Sequence, residues 1–195
     1  MDKTEKTKNS FFALVFRQRY IRRWGLMRNV KDENLAEHSA QTAMIAHALA
    51  LISNRRLGGS VDADAVALAA LYHDASEVYT GDLPTPIKYF DASIRDSYKK
   101  IEKNAVEKLL ENLPDDLMDD YRACLEPPDD VERLVKAADK LCAYLKCVEE
   151  INCGNREFTD AKESTARAMS DLHCPELDIF VAEFLPAFSE TVDRL

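Results

Sequence analysis

Apolar residues recur along this chain at the three- and four-residue spacing of helices, and no stretch alternates as a half-buried strand does. Phe11, Leu14 and Val15 mark a short amphipathic helix within residues 11–20. From Tyr20 to Glu33 the pattern breaks around Arg22-Arg23-Trp24-Gly25, which predicts an ordered loop. Asn34 then stands where an N-cap is wanted, ahead of a long helix to about Arg56 with Met44, Ile45, Ala48, Leu49 and Ile52 on its inner face. Leu57-Gly58-Gly59-Ser60 stops that helix, and Asp62 caps the next. Its residues 66–71 are apolar nearly all round, so it is expected in the middle of the core.

Pro84 and Pro86 forbid a helix through the loop at residues 80–86. Ile94, Tyr98, Ile101, Val106, Leu109 and Leu110 mark another amphipathic helix, and a short one is expected over residues 114–125. After Pro127-Pro128, a stripe from Val131 through Leu134, Leu141 and Val148 defines a long helix ending before Gly154. The tail holds about two more, with Pro175 placed to start one and Pro186 to kink it. The pattern predicts an all-α fold, one domain over residues 1–195 with a flexible tail at 1–9.

Composition narrows the class. Apolar residues make up 46% of the 195 and charged residues 31%, which suits a folded globular chain. Lys plus Arg number 26 against 35 Asp plus Glu, so the formal charge is −9. That sign disfavours a protein that tracks nucleic-acid backbones, though a small anion can still bind in a locally positive pocket. No run is long enough to span a bilayer, and the polar, lysine-rich start has no signal-peptide core. The five cysteines form no C-x-x-C pair and read as reduced packing thiols, which points to the cytoplasm.

Of the four histidines, His47 lies nine residues after His38 on one helix, which turns it about 180° away. It reads as a surface or packing residue, as does His173 beside Pro175. His38 and His73 have acidic company. His73 precedes Asp74 at the end of a very apolar helix, where a turning backbone brings both side chains inward. Asp139 shares a helix stripe with Val135 and Cys142, so its carboxylate points to the apolar side. A desolvated charge there needs either an ion-pair partner or a metal. Two imidazoles and two carboxylates from separate helices suit a six-coordinate divalent ion with positions left for water or substrate. Their separations, 73 − 38 = 35 and 139 − 74 = 65, match no zinc finger.

These residues, with three longer stretches, resemble the HD-domain phosphohydrolases, and most closely the bacterial HD-domain 5′-deoxynucleotidases. The stretches are residues 22–30 around Arg23-Trp24, residues 33–39 around Glu37-His38-Ser39, and residues 72–86 from Tyr72-His73-Asp74 to Asp82-Leu83-Pro84-Thr85-Pro86. Ala138-Asp139-Lys140 supplies the last ligand in its expected setting. The resemblance implies an HD-domain helical bundle that hydrolyses deoxyribonucleoside 5′-monophosphates, and a homodimer. It implies one divalent metal, cobalt or manganese, held by His38, His73, Asp74 and Asp139. It also implies a nucleotide pocket formed by Arg23, Trp24, His38, Asp74, Asp82, Leu83, Pro84 and Thr85, with Glu77, Asp82 and Arg23 as catalytic groups.

Chemistry runs beside that resemblance. Glu77 follows His73 by four residues and suits a general base, or else a solvated surface role. Asp82 suits protonation of the leaving oxygen, a grip on the sugar, or a plain turn cap. Arg23 offers paired hydrogen bonds to phosphate, and Trp24 either a flat apolar wall or core packing; the resemblance implies that such a wall meets C2′ of the sugar and favours deoxyribose. Arg28 and Lys88 are secondary phosphate candidates. Two other readings compete: an HD-type hydrolase of a triphosphate or alarmone, and a non-catalytic helical module braced by its metal. A di-iron HD oxygenase would need further histidines near the motif, which the sequence lacks.

Overall fold

The computed structural model describes residues 9–84, 87 and 91–195. Residues 1–8, and Thr85, Pro86 and Lys88 of the site candidates, lie outside them, so most of the expected flexible tail does too. The described elements are helical, and a lone antiparallel bridge joins Arg22 to Asn34. α1 (Phe11–Val15) tightens into a 3-10 turn over Phe16–Tyr20, then the chain enters the expected loop. α2 (Leu35–Arg56) begins with a capping box in which Asn34 and Glu37 satisfy each other's backbone N–H groups. α3 (Ala63–Tyr72) is capped by Asp62. A tight turn at His73–Ser76 leads to α4 (Glu77–Thr80), which ends at Gly81 with φ +70°. α5 (Ala92–Leu110), α6 (Met118–Leu125) and the long α7 (Asp129–Asn152) follow. α8 (Thr159–Asp171) and α9 (Pro175–Phe184) complete the set, with Pro175 at the first helical position. At Pro186 the helix gives way to a 3-10 turn over Leu185–Ser189.

The main core lies where α2, α3, α7 and α9 meet, around Ile45, Leu49, Val66, Leu134, Leu141 and Leu177. A second cluster gathers Phe11, Ala75, Leu109, Leu110 and Leu113 beneath the turn that follows His73. Two expectations about facing are corrected. Met44 is 73% exposed, because the inner face of α2 runs through His38, Thr42, Ile45, Leu49 and Ile52 and leaves position 44 outside it. α3 is not covered all round either: Val66, Ala69 and Ala70 pack inward, whereas Leu68 is 48% exposed because α2 and α7 cover one side only. Among the described residues, no helix is long and apolar enough to cross a membrane.

Candidate active site

Three helices deliver the candidate ligands. His38 enters fully buried one turn into α2, so the capping box at Asn34 fixes its height along the helix. His73 closes α3, and its ring Nδ1 lies 2.7 Å from the Ala70 carbonyl. Donation from Nδ1–H leaves the lone pair on Nε2. The turn at residues 73–76 then swings Asp74 beside it, with His73 Nε2 3.1 Å from Asp74 Oδ2. Asp139 comes from α7, its Oδ1 3.1 Å from His38 Nε2 and its Oδ2 2.9 Å from Lys140 Nζ.

Donor atoms of His38, His73 and Asp74 all lie within 4.8 Å of one another. Asp139 stands beside that trio rather than within it, drawn to Lys140 on one side and His38 on the other. Its half-buried carboxylate makes the ion pair of the first reading, and its contact with His38 brings it to the edge of the trio that the second reading needs. The set fits a divalent cation. His73 Nε2 is buried with no aligned hydrogen bond, and an imidazole lone pair beside carboxylates is what a first-row ion takes up.

The charges agree. Burial opposes ionisation of Asp139, yet the hydrogen bond from His38 and the nearby Lys140 hold its carboxyl well below the usual range. Asp74 is likewise lowered, burial being outweighed chiefly by His73. Burial and the Arg23 guanidinium lower the His38 pKa, which favours the neutral imidazole. For His73, burial acts downward but Asp74 outweighs it and raises the pKa.

His73, Asp74, Glu77 and Asp139 face a cleft of about 580 Å³, large enough for a mononucleotide. Glu77 is buried at the start of α4, its N–H on the Asp74 carbonyl, which rules out the solvated surface role. Asp82 is half-buried, and burial, partly offset by Arg23, raises its carboxyl pKa. Leu83 and Pro84 continue the same coil. Sequence reasoning passed over Arg95, Lys99 and Lys103 of α5 and Lys136 of α7, which line the far side of this cleft. They alternate there with Glu102, Glu126 and Glu132, so that wall is no basic platform for several phosphates.

The loop at residues 22–34 returns on itself, closed at its base by Arg23 N–H to Glu33 O and Leu35 N–H to Ile21 O, each 3.0 Å. Arg23 is thereby carried inward, its Nη1 3.6 Å from Asp74 Oδ2. Trp24 adopts φ +58°, a left-handed conformation costing a bulky residue about 1–3 kcal/mol. Its ring lies 5.3 Å from that of Phe158. Arg28 turns outward to an ion pair with Glu157, which removes it as a phosphate contact. The loop's far end is pinned by Glu150 of α7, which accepts from Val30 N–H (2.8 Å), Lys31 N–H (3.1 Å) and Asn155 Nδ2 (2.7 Å) and pairs with the buried Lys146.

A helical bundle that brings His38, His73 and Asp74 together with Asp139 beside them has the architecture of the HD-domain phosphohydrolases. A Listeria innocua HD-domain phosphohydrolase aligns with a TM-score of 0.79 over 92% of this chain and 88% of that one, at 22% identity. The cyanophage S-2L HD phosphohydrolase DatZ, solved with dA and one catalytic Zn2+ ion, aligns with a TM-score of 0.65 at 20% identity, over 98% of this chain and all of that one. Within that class the sequence is specific: residues 10–188 match the family described as 5′-deoxynucleotidase YfbR-like, and the chain belongs to it. A 5′-deoxynucleotidase of Yersinia pestis is 51% identical over 188 residues, 95% of each chain, and one of Yersinia pseudotuberculosis matches equally.

Proposed function

We propose that the chain hydrolyses deoxyribonucleoside 5′-monophosphates to deoxynucleosides and phosphate, with one divalent metal held by His38, His73, Asp74 and Asp139. The observation that carries this reading is the donor cluster of His38, His73 and Asp74, with His73 and Asp74 facing a cleft of nucleotide size and His38 buried behind them, in a chain of this family. The metal supplies positive charge that polarises a phosphate oxygen and acidifies water. Cobalt or manganese suits the mixed nitrogen and oxygen donors.

The chain's own groups divide the remaining work. Arg23, with its Nη1 toward Asp74, binds and orients the phosphate. Glu77 takes the proton from the attacking water as the new P–O bond forms. Asp82, half-buried and with its carboxyl pKa raised by that burial, hands a proton to the 5′ oxygen as the P–O5′ bond breaks. Trp24, Leu83 and Pro84 line the sugar and base, a role that the resemblance alone extends to Thr85. His38 and Asp74 touch the phosphate as well as the metal.

Residues 1–195 act as one domain in this reading. Unpaired cysteines among the described residues support a reducing, cytoplasmic setting. Exposed Phe184, Phe188 and Val192 near the C-terminus supply an apolar surface for a homodimer.

The test is phosphate release by metal-stripped protein resupplied with cobalt, manganese, magnesium or zinc. Matched deoxyribo- and ribonucleoside 5′-monophosphates serve as substrates, with a triphosphate as control. Metal-dependent release from the deoxy monophosphates is expected; release from the triphosphate alone would replace the substrate class. Glu77→Gln should retain metal and substrate affinity while kcat falls by about 10²- to 10⁴-fold. An unchanged kcat would remove Glu77 from the proton transfer.

A further inference from the structure

We infer that Glu33 is the positioning residue of the substrate arm and sets its preference between sugars. This rests on the nucleotide pocket proposed above. One oxygen, Glu33 Oε2, accepts from both Arg23 Nε at 3.2 Å and Trp24 Nε1 at 2.9 Å. The side chains of Arg23 and Glu33 are 11% and 10% exposed, so neither bond is diluted by solvent. A single carboxylate thus fixes the phosphate contact and the sugar wall relative to each other, and the backbone bond from Arg23 N–H to Glu33 O locks the same pair.

Two consequences follow from which atoms are used. With Nε engaged by Glu33, the guanidinium turns its terminal nitrogens toward the site, as the 3.6 Å approach of Nη1 to Asp74 records. With Nε1 engaged too, the indole has no donor left and offers only carbon. A 2′-hydroxyl set against that wall loses its water and gains no partner, whereas a 2′-methylene loses nothing. Selection for deoxyribose then comes from the Glu33 carboxylate acting through Trp24. The left-handed backbone of Trp24 is braced by Met27 N–H and Asn29 Nδ2 on its carbonyl, at 2.9 and 3.3 Å, and its ring by Phe158.

The experiment compares wild type, Glu33→Gln, Trp24→Phe and Asp32→Asn on matched deoxyribo- and ribonucleoside 5′-monophosphates, with bound metal measured for each. Asp32 is an exposed neighbour paired with Arg22, and its variant should match wild type. Glu33→Gln should keep its metal, raise KM for the deoxy substrate and lower the deoxy-to-ribo ratio of kcat/KM by about tenfold. Trp24→Phe keeps a flat ring but removes the bonded N–H, and should lower the same ratio even if the Glu33 variant fails to fold. A purely structural role would lower both substrates together and leave the ratio intact, which would overturn the inference. A wild type that treats both sugars alike would overturn the pocket beneath it and the inference with it.

Discussion

Asp74→Ala is expected to lose the metal and to lower kcat/KM by about a thousandfold or more, some 4 kcal/mol of transition-state stabilisation. Among the described residues, Asp74 is the one carboxylate whose donor atom falls within 4.8 Å of those of both histidines. It also faces Arg23 across 3.6 Å, so its removal disturbs the phosphate contact as well as the ligand set. The fold should survive, because Asp74 lies in a turn whose packing is supplied by Ala75 and its neighbours in the second cluster. Metal content, phosphate release and far-ultraviolet circular dichroism on one preparation decide the matter. Metal-dependent turnover near the wild-type rate would remove Asp74 from the ligands.

Glu150→Gln should destabilise the protein by about 3–5 kcal/mol, because it strands the buried Lys146 without its counter-charge. In a chain of this size that lowers Tm by about 10 °C. Glu150 is 1% exposed; burial alone would raise its pKa, yet Lys146 and the N–H groups of Val30, Asn155 and Lys31 hold it at about 2 against an ordinary 4.5. A depressed carboxyl stabilises the fold fully above its ordinary value, and that share, about 3 kcal/mol, is lost as pH falls from about 4.5 toward 2. The Tm gap between wild type and variant should therefore narrow over that interval. Glu176, held at about 2 by Arg133, adds a second acid-labile tie that the variant keeps. A gap below about 1 kcal/mol at neutral pH would show that the pair carries no net stability.

The sequence made the candidate ligands legible because each is announced locally. His38 follows a capping signal at a fixed distance, His73 and Asp74 sit where an apolar helix must stop, and Asp139 interrupts an apolar stripe. The helices were legible for the same reason, their caps and prolines standing beside the periodic runs. Glu33 was not: its role depends on the loop at residues 22–34 closing on itself, and nothing in the spacing of residues 23 and 33 states that. The clamp from Glu150 to Val30 and Lys31 spans still more sequence. Met44 and Leu68 were misplaced because apolar character shows what a residue tolerates, while neighbouring helices decide what is covered.

Trp24 is the chain's single tryptophan among seven tyrosines. Light at the red edge of the near-ultraviolet band excites indole and spares phenol, so emission would come from the recognition arm alone. Its emission is expected to respond to the carboxylate at its N–H and to whatever is laid on its face. If the proposed pocket holds, the protein carries a built-in fluorophore where a nucleotide would dock. Occupancy could be titrated in real time with no dye, and in a variant that binds without turning over.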